Sequence, residues 1–284
     1  MFIREVSDLH LEHHYNTRDG NDPRAQALLS TVLPPLPEDP ETVLIVGGDL
    51  ATARQVDRIV TFIGLVVPRF KHVIYVLGNH EHYGMYMVDT IRMIKESVKK
   101  KLGKVPNLTI AGNKPARIQI DGVTFIAGTL WTDYGGEDAI NTHSMIRGYI
   151  NDHRMIMGED GKGMDPPEMI KIHRATLKTM ENWMKGKDNS RTVICTHHMP
   201  TFSAVAEKYK NPHDPVGAHL NHAFASDLDA FILKHQPAAW TFGHTHTSYF
   251  GKIGNTQLIC NPHGYPMESN LVSGEFDPLT RFEV

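Results

Sequence analysis

The sequence predicts a layered α/β fold with parallel strands, and three observations carry that expectation. Short apolar runs alternate with stretches of helical periodicity through the early part of the chain. Most of those runs end in glycine, aspartate, asparagine or histidine, which suit tight loops at the carboxyl ends of strands facing a crevice. The 284 residues, 40% of them hydrophobic, suffice for a substantial core.

In chain order, Phe2-Ile3-Arg4-Glu5-Val6 reads as the first strand, although Arg4 and Glu5 put its burial in question. It ends at Ser7-Asp8-Leu9-His10, where a spacing of two puts Asp8 and His10 on one face if strand geometry persists. Residues 15–41 are polar and proline-rich, a loop holding one short helix over 25–32. The apolar run 42–46 is a buried strand leading into Gly47-Gly48-Asp49. A helix over 53–67 follows, with Val56, Ile59, Val60, Ile63 and Val67 at helical spacing, and Pro68 stops it.

The organising stretch comes next. The run 73–77 is a buried strand, Gly78 permits a sharp turn, and Asn79-His80-Glu81-His82 follows at once. A helix over 85–102 carries Val88, Ile91, Ile94 and Val98 on one side. Short strands then cover 108–110, 116–120 and 123–127, the last two joined by the hairpin signal Asp121-Gly122. Residues 135–168 read as an irregular lobe over the site, and 171–185 as a helix. The strand 192–195 opens onto Thr196-His197-His198, a helix covers 224–235, and the strand 238–242 delivers Gly243-His244-Thr245-His246. Strands 249–253 and 257–260 flank Gly254-Asn255. The whole reads as one domain, residues 1–284, with a lid-like insertion at about 135–168.

Composition excludes several classes. A formal net charge of −3 gives no nucleic-acid signature. The basic run Lys99-Lys100-Lys101 with Lys104 suits a helix end on a solvated face. Cys195 and Cys260 lie far apart in strand-like contexts, which argues against a disulfide framework or a thiolate zinc site. With no long apolar stretch, the sequence predicts a cytoplasmic protein with no membrane partner. The 18 histidines, by contrast, invite a search for metal clusters.

That search succeeds at the strand ends. If they converge, they supply the carboxylates of Asp8 and Asp49, the carboxamide of Asn79 and the imidazoles of His10, His197, His244 and His246, with His80 left over. Oxygen ligands favour Mn or Fe, and imidazoles favour Zn, Fe or Ni. A thiolate-free set with open positions is the kind that catalyses. Two ions about 3.5–4 Å apart can share a hydroxide and clamp an ester for in-line displacement at phosphorus. His80 can give or take a proton near neutral pH.

Asp8-Leu9-His10, Gly48-Asp49, Gly78-Asn79-His80-Glu81, Thr196-His197-His198 and Gly243-His244-Thr245-His246 resemble, in order, the signature blocks of the calcineurin-like metallophosphoesterase superfamily. The stretches 128–133, 224–228 and 254–265 resemble a bacterial and phage-type branch, whose substrates the motifs do not specify. The resemblance implies a four-layer α-β-β-α sandwich of mixed sheets with two divalent ions at the carboxyl ends of the strands. It implies that Asp8, His10 and His246 hold one ion, that Asn79, His197 and His244 hold the other, and that Asp49 bridges them. His80 is then catalytic, beside the substrate, protonating the leaving oxygen or stabilising charge on the phosphoryl group; a proton donor with an accessible pKa is the one role the ligands cannot fill. His198 and Arg154 are further candidates for substrate contact. The expected activity is metal-dependent hydrolysis of a small phosphodiester, with a nucleotide in view, or of a phosphomonoester. Phosphoprotein phosphatase activity and a non-catalytic interaction scaffold are the alternatives.

Overall fold

Two sheets stand at the centre of the computed structural model, which describes residues 1–14, 23–211, 213–268 and 275–284. Residues 15–22 of the expected polar loop lie outside the described residues. The strands are β1 (Phe2–Val6), β2 (Val43–Val46), β3 (His72–Val76), β4 (Met85–Tyr86), β5 (Leu108–Ala111), β6 (Ala116–Ile120), β7 (Val123–Ala127), β8 (Ile156–Met157), β9 (Thr192–Cys195), β10 (Ala239–Thr241), β11 (Tyr249–Ile253), β12 (Thr256–Cys260) and β13 (Arg281–Glu283). The helices are α1 (Pro23–Val32), α2 (Val56–Val66), α3 (Met87–Leu102), α4 (Ala139–Ile146), α5 (Asp152–Met155), α6 (Pro166–Met184), α7 (Pro215–Phe224) and α8 (Asp229–His235).

The first sheet has the order β13-β1-β2-β3-β5, parallel except for β13. The second has the order β11-β12-β10-β9-β7-β6, with parallel inner strands and an antiparallel hairpin at each edge. Side-chain alternation stacks them. In β2, Val43 and Ile45 face the second sheet while Leu44 and Val46 face helices; in β9, Val193 and Cys195 face inward and Ile194 faces outward. Helices α1, α2 and α3 cover the first sheet, and α6 and α8 cover the second. This is the four-layer α-β-β-α sandwich. Each fully buried Val, Ile or Leu in it contributes about 1.5–3 kcal/mol.

The first strand is buried despite its charges. Arg4, on the helix side, bonds Asp39 at 2.8 Å and the carbonyl oxygens of Pro34 and Pro278. Asp39 also holds Arg69 at 2.8 Å, so the buried guanidinium is not left unpaired. Glu5 points between the sheets and accepts from the backbone N–H of Asn261 at 3.0 Å. Burial, aided by nearby Asp8, pushes its carboxyl well above the usual carboxylate range. Asn261 in turn donates to the Glu5 carbonyl at 3.1 Å. The two sheets are thereby joined at their carboxyl ends.

Other expectations need correction. Val88 is exposed, and the inward face of α3 is Met87, Thr90, Ile94 and Val98 with the partly buried Ile91. Helix α6 starts at Pro166, where the Asp165 side chain caps the backbone N–H of Glu168. Residues 135–168 are not irregular: they hold α4, α5 and β8, and β8 pairs with β4. The helix expected over 224–235 is broken. Ala225 is extended and pairs with Met199, which leaves α7 before it and α8 after it. With Ile146, Ile150, Ile156 and Met169, α7 shares a separate small core under the second sheet's carboxyl end.

Candidate metal centre

Every strand end singled out in the sequence arrives at one place. The chain leaves β1 into Asp8 and His10, with Asp8 N–H donating to the Gly48 carbonyl at 2.9 Å and His10 N–H to the Asp49 carbonyl at 2.9 Å. The second sheet docks through His197, whose Nδ1 lies 2.8 Å from the Gly47 carbonyl, and through Thr129 Oγ1, which donates to Leu77 O at 2.7 Å. Glycine is required at two of these contacts. A Cβ on Gly78 would lie 2.1 Å from Asp49 Oδ1, and one on Gly243 would lie 2.5 Å from Asp8 Oδ2. The backbone is itself unusual. Asp8, His10, Asp49, His244 and His246 all have positive φ, between 42° and 71°, in the left-handed region that side chains with a Cβ rarely adopt.

Electron-pair donors converge in two clusters. In one, His10 Nε2 and His246 Nε2 are 3.0 Å apart, with Asp8 Oδ1 3.5 Å from the latter. In the other, His197 Nε2 lies 3.0 Å from Asn79 Oδ1, 3.2 Å from His244 Nδ1 and 3.4 Å from Asp49 Oδ1. Asp49 sits between the clusters, its other oxygen 3.8 Å from His10 Nε2. Three groups here, Asp8/His10/His246, His10/Asp49/His80 and Asp49/His197/His244, have ligand atoms within 4.8 Å of one another.

The outward nitrogens fix which way the imidazole lone pairs point. His246 Nδ1 bonds Glu268 at 2.7 Å, His10 Nδ1 faces Glu12 at 3.4 Å, and His197 Nδ1 bonds Gly47. Their Nε2 atoms are turned inward, onto one another and onto the oxygens. Asn79 is likewise oriented: its Nδ2 donates to Asp152 at 2.8 Å and to Tyr83 Oη at 3.2 Å, which leaves Oδ1 for the cluster. Lone pairs meeting lone pairs at about 3 Å are stable only around a cation or a shared proton. The residues therefore fit divalent metal ions. Protons show the same demand: burial alone would lower His197 and His246, but Asp49 raises the first to about 9 and Asp8 raises the second to about 10.

His80 stands beside the clusters. Its backbone N–H donates to Asp49 Oδ1 at 2.9 Å, its Nδ1 lies 3.2 Å from Glu12 Oε1, and its Nε2 lies 3.1 Å from Tyr265 Oη. Burial pulls its pKa down, but Asp49 and Glu12 outweigh that and raise it. The opposite holds at Glu12: burial would raise its carboxyl, yet the hydrogen bonds with His10 and His80 hold it at about 2. Glu81, buried, accepts from the N–H groups of Asp49, Leu50 and Gly78 and from Tyr75 Oη, and so fixes the loops that carry the ligands.

The remaining candidates fall elsewhere. His198 is buried with its ring 4.4 Å from that of His244, Nδ1 facing the Thr129 carbonyl at 3.3 Å. Arg154 is exposed on α5 and donates to Asn151 at 2.6 Å. Neither lines the cavity of about 550 Å³ that opens from Asp49, Asn79, His80, His244 and His246. Trp131 is core, its Nε1 bonded to Asn113 at 2.8 Å. Four residues that matter were missed. Glu12 continues the spacing of two from Asp8 and His10, a signal that was present. Asp152 stands two residues before Arg154, whose charge drew attention from it. Tyr83 follows the organising stretch, and Glu268 has no local signal.

Comparison with known proteins agrees with this geometry. The family model for calcineurin-like phosphoesterase matches residues 3–248. A protein of Acanthamoeba polyphaga mimivirus named uncharacterized protein L509 is 29% identical over 290 residues, covering 99% of this chain and 96% of its own. Phosphopantetheinyl hydrolase from Mycobacterium tuberculosis has the same fold, with a TM-score of 0.64 at 17% identity, covering 94% of this chain and 90% of that one. With the family model spanning nearly all of the sandwich and the donor clusters at its strand ends, the chain belongs to the calcineurin-like phosphoesterase family and is a phosphoric ester hydrolase.

Proposed function

We propose that the protein is a dinuclear metallophosphohydrolase of small phosphodiesters, nucleotide esters among them. The observation that carries this reading is the position of Asp49, with one carboxylate oxygen toward each donor cluster. Asp8, His10 and His246 are assigned to one ion, Asn79, His197 and His244 to the other, and Asp49 to both. Mn, Fe, Zn and Ni suit this mixed set of oxygens and imidazoles. When bound, such cations supply Lewis acidity to a phosphoryl oxygen and make water nucleophilic near neutral pH.

The chain's own residues do the rest. Asp152 and Tyr83 hold Asn79, and Glu268 holds His246, so the ligands need little reorganisation. His80, steadied at Nδ1 by Glu12, carries a proton on Nε2 and delivers it to the leaving oxygen; Tyr265 Oη marks where that atom points. Residues 149–152, within the lid-like insertion at 135–168 of what we take as a single domain, wall the cavity beside the ligands. A walled cavity suits a small molecule better than a folded phosphoprotein.

The test is hydrolysis of bis-p-nitrophenyl phosphate against p-nitrophenyl phosphate by Mn²⁺-loaded protein, with an EDTA-stripped control. Faster metal-dependent turnover of the diester is expected. Preference for the monoester would overturn the diester assignment. Failure to bind any divalent ion would overturn the dinuclear reading and return the scaffold alternative.

A further inference from the structure

The cavity beyond the ligands has a chemistry of its own. Its far wall is built by two stretches brought together by the fold, the end of the loop after α4 and the segment from Met199 through α7. Tyr149, Ile150, Val205, Tyr209 and Leu220 give this wall its aromatic and aliphatic surface. Tyr149 and Tyr209 are 65% and 53% exposed, so their rings are free to pack on a ligand. Apart from histidines, the only cationic side chain among the described lining residues is Lys208, and its Nζ lies 5.0 Å from the Tyr209 ring centroid. Against it on the same wall stands the carboxylate of Asp214, while Asp152 and Glu268 lie at the ligand end, bonded to Asn79 and His246.

Charge and size then select a ligand class. On this wall the one lysine is offset by Asp214, so a second phosphate or carboxylate reaching it, away from the ligand clusters, would leave water without a matched cation. A bare phosphate would leave most of a cavity of about 550 Å³ unfilled, a volume in the range of pockets that enclose drug-sized ligands. We infer that this wall is a subsite for one arm of a phosphodiester, and that the arm is uncharged and carries an aromatic or other apolar face. The inference rests on the phosphodiester reading above and narrows it: polyphosphorylated and polyanionic esters are excluded, and a nucleoside or comparable amphipathic alcohol fits.

Binding of slowly hydrolysed diesters tests this apart from turnover. Calorimetric titration of Mn²⁺-loaded protein with diphenyl, dimethyl and bis(2-carboxyethyl) phosphate keeps the central phosphate constant and varies the arms. Diphenyl phosphate should bind about tenfold more tightly than dimethyl phosphate, and the carboxyethyl ester more weakly than either. Tyr149→Ala and Tyr209→Ala alter exposed side chains, so folding is preserved, and they should weaken the phenyl ester more than the methyl ester. Equal affinities for the phenyl and methyl esters, an equal effect of the variants on both, or preference for the carboxyethyl ester would overturn the subsite. Turnover of diesters with no phenyl preference would sink this inference alone. A phenyl preference without any turnover would sink the hydrolase reading and leave the subsite standing.

Discussion

Glu12 and His80 show how much chemistry turns on single side chains here. His80→Ala removes the proton donor and none of the assigned ligands. Metal content should stay at two ions by elemental analysis while kcat falls by about 10²–10⁴. The loss should be larger for alkyl than for p-nitrophenyl leaving groups, because p-nitrophenolate needs no proton; equal losses would refute the role. Glu12→Gln keeps a hydrogen-bond acceptor but removes the charge that both His10 and His80 face. His82 makes a different point. It is buried, neither ring nitrogen has a hydrogen-bond partner among the described residues, and burial lowers its pKa to about 4. Its folded pKa lies below the unfolded value of 6.5, so the stability carried by its neutral form is present above that pH and is lost as pH falls toward 4. The loss is about 3 kcal/mol at its fullest. Urea midpoints between pH 7 and pH 4 should therefore fall less in His82→Leu than in the parent. Residue types and order made the ligands legible in the sequence. Their supports were not, because Glu268 and, at the start of α5, Asp152 are distant in sequence and only the fold brings them to His246 and Asn79.

At the scale of elements, the strand ends were legible and the inserted segments were not. Apolar runs that stop at glycine and a polar residue have one reading in a parallel sheet, and β2, β3, β9 and β10 obey it. The apolar spacing of Phe224, Leu228, Phe231 and Ile232 also reads as one helix, but the N–H groups of Met199 and Ser226 pair with the carbonyls of Phe224 and Met199. That pairing pulls Ala225 into an extended form, a tertiary override of local periodicity. Similarly, Arg4 and Glu5 argue against a buried β1, yet Asp39 and Asn261 meet them inside the fold. The β3 loop yields a sharp prediction. Gly78→Ala places a methyl group against Asp49 and the His197 ring, with contacts of 2.1 and 2.7 Å before relaxation. It should reduce bound metal below two ions per chain while the far-ultraviolet spectrum is kept. Unchanged stoichiometry would show that the loop can yield.

For the molecule as a whole, the sandwich puts the carboxyl ends of two separate sheets side by side and sets electron-rich groups at their seam. Folding alone must hold Asp8, Asp49 and inward-turned imidazoles together; bound cations would relieve that repulsion. Stripping with EDTA should lower the thermal midpoint, and added Mn²⁺ should restore it progressively, by about 2.7 kcal/mol of stability at a hundredfold excess over Kd. A midpoint indifferent to both would contradict a buried dinuclear centre. The order of motifs along the chain made this architecture legible, since each block falls after a strand. The seam itself, with Glu5 and Asn261 bonded across it, joins residues 256 apart and has no local signal in the sequence.

The left-handed backbone at Asp8, His10, Asp49, His244 and His246 has an evolutionary consequence. Glycine would occupy His10, His244 or His246 with less backbone strain, whereas at Asp8 or Asp49 it would also take away the acceptor of the His244 or His80 N–H. Drift toward glycine at the histidine positions would thus tend to make the metal-free chain sturdier and inert. Selection for stability and selection for catalysis pull in opposite directions at these positions, and laboratory evolution for heat tolerance alone should erode the centre first.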